Sequence, residues 1–184
     1  MNREEALALL KKNVKNKNLV KHSLAVEAVM AGLAKHFGED QEKWAIAGLL
    51  HDIDYDYTKD DPHKHSIMGA EMLTEAGLPE DVVYAVKVHN DMHGLPRNSL
   101  MDKALYATDP LTGLITAAAL IRPEKSLFAI NKESLIKRYS EKAFAKGANR
   151  EVIASCSELG LSLEDFMALG LEAMQGIAKD LGLE

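Results

Sequence analysis

The chain has 184 residues, with 28 Asp and Glu against 22 Lys and Arg, for a net charge of −6. A chain of this length can fold around one hydrophobic core and bury about 70% of the surface its unfolded form exposes. The net negative charge gives no overall positive field for a nucleic acid polymer, so no such partner is expected. A small anionic substrate would need a local cationic site, which a bound metal could supply. The single cysteine, Cys156, cannot close an intramolecular disulfide, and MNREEALALLKKN has neither the apolar core nor the cleavage site of a signal peptide. The most apolar run, residues 111–121, is half the roughly 20 residues needed to span a bilayer. These features predict a cytoplasmic chain with no membrane span.

Asn2 with Glu5 three positions later predicts a capping box opening a first helix, with Leu7, Leu10 and Val14 on its apolar face. The Lys- and Asn-rich run 15–18 interrupts it. Over 19–37, Val20, Leu24, Ala28, Leu33 and Phe37 fall on one side at helical spacing, and Gly38 follows as a stop. His22 therefore stands one turn inside a long helix. Residues 41–51 form a mostly apolar helical segment that delivers His51 and Asp52 to the acidic stretch 52–61, ended by Pro62. Pro62 suits the first turn of a helix carrying His65 and running to Gly77, and Pro79 opens another that carries His89. Ser99 is an N-cap candidate for a helix over 100–121, in which Pro110 predicts a kink beside Asp109. Beyond Pro123 helices are expected near 133–146, 149–159 and 162–181, the last opened by Ser162. No run alternates as a strand should, and no linker divides the chain. The expectation is one all-α domain over 1–184, with the chemistry in about 19–121 and additional C-terminal helices from about 125.

Six side chains able to ligate a metal, His22, His51, Asp52, His65, His89 and Asp109, fall on five predicted helices or helix ends. Mixed imidazole and carboxylate donors suit divalent zinc, iron, manganese and similar ions, and the lack of cysteine ligands argues against a thiolate-rich structural zinc site. Ions of this kind acidify bound water toward neutral pH, which is the chemistry of hydrolysis.

The order of these residues resembles the HD superfamily of metal-dependent phosphohydrolases, whose motif is H…HD…D. His22 precedes the pair, His51 and Asp52 end the helix AIAGLLHD, and Asp109 lies in ALYATDPLTGL, so the resemblance covers roughly residues 19–121. It implies a helical bundle in which His22, His51, Asp52 and Asp109 hold a first ion. Some members hold a second ion through further histidines, and HKHSIMGAEML with His65 and AVKVHNDMHG with His89 are similar to their segments. Asp52 would then bridge the two; the cofactor is one or two divalent ions, with Mn, Fe, Zn, Co, Ni and Mg all open. The cyclic dinucleotide branch is not matched: Asn90 replaces its second histidine, and Gly94, Leu95 and Pro96 stand in place of its Gly-Tyr-Pro.

Asp54, close behind the pair, is a candidate carboxylate for orienting or deprotonating a water, at a position where many members have glycine. Asp52 and Asp54 are thus the catalytic candidates. His93 and the cations Lys64, Arg122 and Lys125 are candidates for substrate contact, with Arg97 and Lys103 behind them, whereas His36 beside Gly38 reads as a helix C-terminal cation. The expected activity is hydrolysis of a phosphate ester in a small nucleotide or other phosphorylated metabolite through a metal-activated water. The alternatives are a mixed-valent di-iron oxygenase of the same superfamily and a ligand-binding module without catalysis.

Overall fold

The computed structural model describes all of residues 1–184 and is helical throughout, without strands. Helix α1, Arg3–Asn13, opens on the expected box: the Asn2 side chain accepts from the Glu5 amide, and the Glu5 carboxylate accepts from the Asn2 amide. Helix α2, Lys17–Phe37, ends where Gly38 turns left-handed at φ 71°. Its buried face, with Val26, Val29, Met30 and Leu33, meets Trp44, Ala47 and Leu50 of α3, Gln41–Leu50. The two helices come unusually close because residue 48 is glycine. A Cβ there would stand 2.9 Å from the Val26 carbonyl oxygen and 3.0 Å from the Glu27 amide nitrogen. This contact fixes His22, on α2, relative to His51, which follows α3.

After α3 the chain makes a short helix α4, Tyr55–Thr58, and then turns until α5, Ile67–Glu75. Pro62 does not begin a helix. His65 lies in the turn before α5, and Ser66 breaks the helical path with φ 69°. Helix α6, Glu80–Val88, follows Pro79 as expected and places His89 at its C-cap. Helix α7, Leu100–Leu120, is opened by a Ser99 capping box and continues through Pro110 as one helix. It is the central strut, burying Leu105, Leu111, Leu114 and Ile115 completely. Each such side chain contributes on the order of 1.5–3 kcal/mol by leaving water.

The C-terminal helices differ in length from those expected. Helix α8, Lys132–Ser140, stops early because the Arg150 guanidinium collects the carbonyl oxygens of Arg138, Tyr139, Glu141, Phe144, Ala145 and Ala148, which turns the intervening backbone out of a helical path. A short α9, Arg150–Ala154, passes into a 3-10 turn over Ser155–Leu159. The segment expected as one helix from Ser162 is α10, Leu163–Gln175, and α11, Ala178–Leu181. Gly170 lets α10 lie against Leu111 and Ile115 of α7, where a Cβ would meet the Leu111 side chain at 2.8 Å. The end of the chain is tied back by the Leu127 amide donating to the Leu183 carbonyl at 2.9 Å. The extension thus packs on α2 and α7, the helices carrying His22 and Asp109. No helix is long and apolar enough to cross a membrane.

Candidate metal centre

All six candidate ligands converge. Around Asp52 Oδ2, His51 Nε2 stands at 3.4 Å and His22 Nε2 at 3.7 Å, while Asp109 Oδ1 lies 3.0 Å from His22 Nε2 and 3.8 Å from His51 Nε2. The two imidazole Nε2 atoms are 3.2 Å apart. On its other side, Asp52 Oδ1 faces His65 Nε2 at 3.4 Å and His89 Nε2 at 3.5 Å. The Asp52 carboxylate therefore stands between two donor sets, one oxygen toward each.

The outer nitrogens of the four histidines decide what the inner ones offer. His51 Nδ1 is 2.7 Å from the Gly48 carbonyl and His89 Nδ1 is 2.6 Å from the Val86 carbonyl. A carbonyl only accepts, so both rings carry their proton on Nδ1. The Thr112 hydroxyl gives its hydrogen to the Asp109 carbonyl at 2.9 Å, which leaves its oxygen to accept from His22 Nδ1 at 3.2 Å. His65 Nδ1 donates to Asp54 Oδ1 at 3.0 Å. All four Nε2 lone pairs therefore point into the same space, the arrangement that outer hydrogen bonds impose on metal-binding imidazoles. His89 Nε2 is buried and has no hydrogen-bond partner. Leaving such an atom unpaired costs about 1–3 kcal/mol, a cost that a bound cation would relieve. Two donors on one ion at about 2.1 Å stand about 3.0–3.4 Å apart, close to the separations found here. The residues fit divalent ions.

Burial alone would hold the His51 imidazole below its ordinary pKa, but Asp52 and Asp109 override it and raise the value well above. His65 is raised in the same way, against burial, by Asp54 and Asp52. Burial opposes ionisation of Asp52 and Asp109 as well, and the facing histidines nevertheless hold both carboxyls well below the usual range.

Asp54 takes a different place from the one expected of a proton-accepting carboxylate. It is fully buried, one oxygen engaged by His65 and the other by the amides of Ser66 at 2.8 Å and Gly69 at 2.9 Å. It caps the N-terminus of α5 from a distant part of the chain and orients His65, so it is a positioning residue. Gly69 suits the approach, since a Cβ would lie a tight 3.3 Å from the Asp54 carboxyl carbon. His93 is likewise a brace, its Nε2 donating to the His65 carbonyl at 2.8 Å, and Asn90 donates to the same carbonyl at 3.1 Å. None of the expected cations lines a cleft at the centre. Lys64 is exposed and paired with Asp61 at 3.3 Å. Arg122 lies beyond the end of α7, about 20 Å along the axis from Asp109, and pairs with Glu124 at 3.8 Å; Lys125 follows it at φ 49°. Arg97 is engaged by Asp91, the Val88 carbonyl and the Tyr106 ring. The Tyr106 hydroxyl donates to Asp91, and burial with that contact pushes its pKa up to about 12.

The centre opens on one side only. The side chains of His22 and Asp109 are 24% and 35% exposed, whereas His51 is sealed. Two clefts flank that opening. One, of about 230 Å³, is lined by His65, His89, Tyr106 and Asp109 together with Gly147 and Asn149 of the extension. The other, of about 460 Å³, has Lys21, His22, Thr116 and Ala117 facing Leu181 and Leu183. Thr112 was missed in sequence, although its place three residues after Asp109 on the same helix face was the signal that could have found it; the cleft residues from the extension carried no such signal.

The fold is an all-helical bundle that gathers histidines and aspartates from five places around one carboxylate, an arrangement consistent with metal binding. A family model described as "HD domain" matches residues 19–120, and the chain belongs to that family. Among curated proteins it is similar to Ribonuclease Y of Lawsonia intracellularis, 30% identical over 138 residues, covering 73% of this chain and 26% of the relative. Ribonuclease Y of Nitratiruptor sp. is 33% identical over 138 residues, 73% of this chain and 26% of the relative. Ribonuclease Y of Aquifex aeolicus is 27% identical over 172 residues, 90% of this chain and 30% of the relative. The chain thus spans about a quarter to a third of the length of these relatives. No solved structure gives a significant match.

Proposed function

We propose that this chain hydrolyses a phosphate ester of a small nucleotide or related phosphorylated metabolite at a centre for two divalent ions. His22, His51, Asp52 and Asp109 hold one ion, and Asp52, His65 and His89 hold the other. The observation that carries this reading is the set of four histidines, each donating outward from Nδ1 and presenting an Nε2 lone pair to one side or the other of Asp52. Bound ions would supply Lewis acidity toward a phosphoryl oxygen and lower the pKa of water.

The chain's own residues do the rest. Gly48, Val86, Thr112 and Asp54 fix the ring orientations, so an ion that displaces a proton from Nε2 meets a ring already turned toward it. Leu49, Leu50 and Ile53, all sealed from solvent, exclude water behind the site. That leaves the face between His22 and Asp109 for an ester to enter. The ribonuclease name of the relatives supports a phosphodiester as one such ester.

The test is metal titration of protein freed of metal, followed by an activity screen over phosphate mono- and diesters. Two manganese ions per chain with release of phosphate or a phosphorylated product is the expected result. A chain that never holds more than one ion, or that leaves every ester intact, contradicts the proposal.

A further inference from the structure

The net charge of −6 conceals a strong local imbalance. Residues 1–21 contain six Lys and Arg against two Glu. The fold gathers most of these cations on one groove of about 560 Å³ between α1 and the first half of α2. Lys11, Lys15, Lys17 and Lys21 line it over an apolar floor that includes Leu7 and Val20, and Asp180, near Arg3, is the one acid on its wall. Arg3, at one end, is neutralised by a two-pronged contact with Glu27 at 2.5 and 2.9 Å. The four lysines make no ion pair; those of the chain that do are Lys43 and Lys64. Lys21 belongs at once to this groove and to the cleft containing His22. The groove and that cleft are thus neighbours across Lys21, which precedes His22 on α2.

We infer that this groove binds the sugar-phosphate backbone of a single-stranded oligonucleotide beside the centre, an inference that rests on the phosphohydrolase reading above and extends its substrate from a small nucleotide to a nucleotide within a strand. A small metabolite with one or two phosphates would fill the cleft at His22 and leave the lysines beyond Lys21 unmatched; a linear polyanion meets them all. Lys17 and Lys21 are four residues apart on α2, a rise of about 6 Å in a helix, while Lys11 lies in the last turn of α1 and Lys15 in the connection between the two helices. An extended single strand spreads its phosphates more widely than the ~3.4 Å per nucleotide of a stacked duplex strand, and so suits that spacing. The floor has no aromatic ring on which bases could stack, so recognition is electrostatic and independent of sequence.

Lys11 and Lys17 are exposed and stand outside the metal centre, so the full chain with Lys11→Glu and Lys17→Glu tests the inference. Fluorescence anisotropy of labelled mixed-sequence single-stranded RNA and DNA, with metal removed by chelation to prevent cleavage, reads binding over a range of salt. Wild-type protein should bind with a steep salt dependence. The charge-reversed protein should lose about tenfold or more near 0.1 M salt, and removing the two contacts should reduce the slope of log K against log salt by about 1.4. Lys11→Gln with Lys17→Gln, which deletes charge without reversing it, should fall between the two.

Hydrolysis of bis(p-nitrophenyl) phosphate by the metal-loaded variants should match wild type. Oligonucleotide binding that is absent, or that ignores both pairs of substitutions while this hydrolysis persists, overturns the groove. Lysine-dependent binding to phosphatidylserine-containing vesicles in place of oligonucleotides overturns it too. Loss of hydrolysis in wild type, with lysine-dependent binding intact, instead removes the phosphohydrolase reading and leaves the groove standing.

Discussion

Asp54→Asn exchanges one buried oxygen for an amide nitrogen and should disable the second ion position without unfolding the protein. The amides of Ser66 and Gly69, at 2.8 and 2.9 Å, can only donate, so the asparagine must turn its oxygen toward them. Its NH2 group then faces His65 Nδ1, where a carboxylate oxygen sat at 3.0 Å. The imidazole has to accept at Nδ1 and move its proton to Nε2, the atom 3.4 Å from Asp52 Oδ1. That proton occupies the lone pair needed for ligation. Loss of such an outer partner typically weakens metal affinity by about 10–100-fold, equivalent to about 1.4–2.7 kcal/mol. Calorimetric titration with manganese should show the weaker of two binding steps reduced by this amount and the other unchanged, with helical content preserved. Asp54→Ala is the contrasting case: two buried amides lose their acceptor, at about 1–3 kcal/mol each, and thermal stability should fall. An Asp54→Asn protein that binds both ions as wild type does would refute the claim that Asp54 sets the His65 tautomer.

Gly48→Ala should destabilise the chain by about 1 kcal/mol, because overpacking against the backbone of Val26 and Glu27 outweighs the helix propensity gained. For a chain of this size that is about 2–4 °C in thermal melts, and an increase in melting temperature would contradict the close-approach argument. His89→Ala should lower the stoichiometry from two manganese ions to one; retention of two would remove His89 from the site. The histidines also predict a pH dependence. His51 and His65 have pKa values raised in the folded, metal-free chain. Their contribution to stability is therefore complete below the unfolded value of about 6.5 and is lost as pH rises through the folded values. Metal-free protein should melt at lower temperature as pH rises above about 6.5, while metal affinity rises because ions displace those protons. Metal affinity that falls over the same interval would contradict the ligand assignment.

Elements carried by local signals were legible in the sequence. The Asn2 and Ser99 caps, the apolar face of α2 and its Gly38 stop depend on residues within a turn or two of one another. The resemblance over 19–121 supplied the order of His22, His51, Asp52 and Asp109, which the fold brings together. His65 was placed on a helix because Pro62 suits a first turn; the start of α5 is instead set by Asp54, whose carboxylate replaces a local cap across 12 residues. A tertiary cap of this kind leaves no periodic trace. The cations were misplaced for a related reason. Arg122 and Lys125 follow Asp109 closely in sequence, but α7 runs on for eleven residues beyond it and carries them away, whereas Lys21 shares a cleft with His22, which it adjoins. The average charge also obscured the basic N-terminal segment, since its excess is cancelled by acids spread over the rest of the chain.

Oxygen-free hydrolysis of bis(p-nitrophenyl) phosphate by the manganese-loaded protein in ¹⁸O-labelled water tests the central claim most directly. Attack of water at phosphorus requires no electrons from the metal and no dioxygen, so redox-stable ions should serve. The account predicts turnover under strict anaerobiosis, with label from water in the phosphate-containing product. Activity found with iron alone, consuming oxygen and leaving phosphate esters intact, would contradict it.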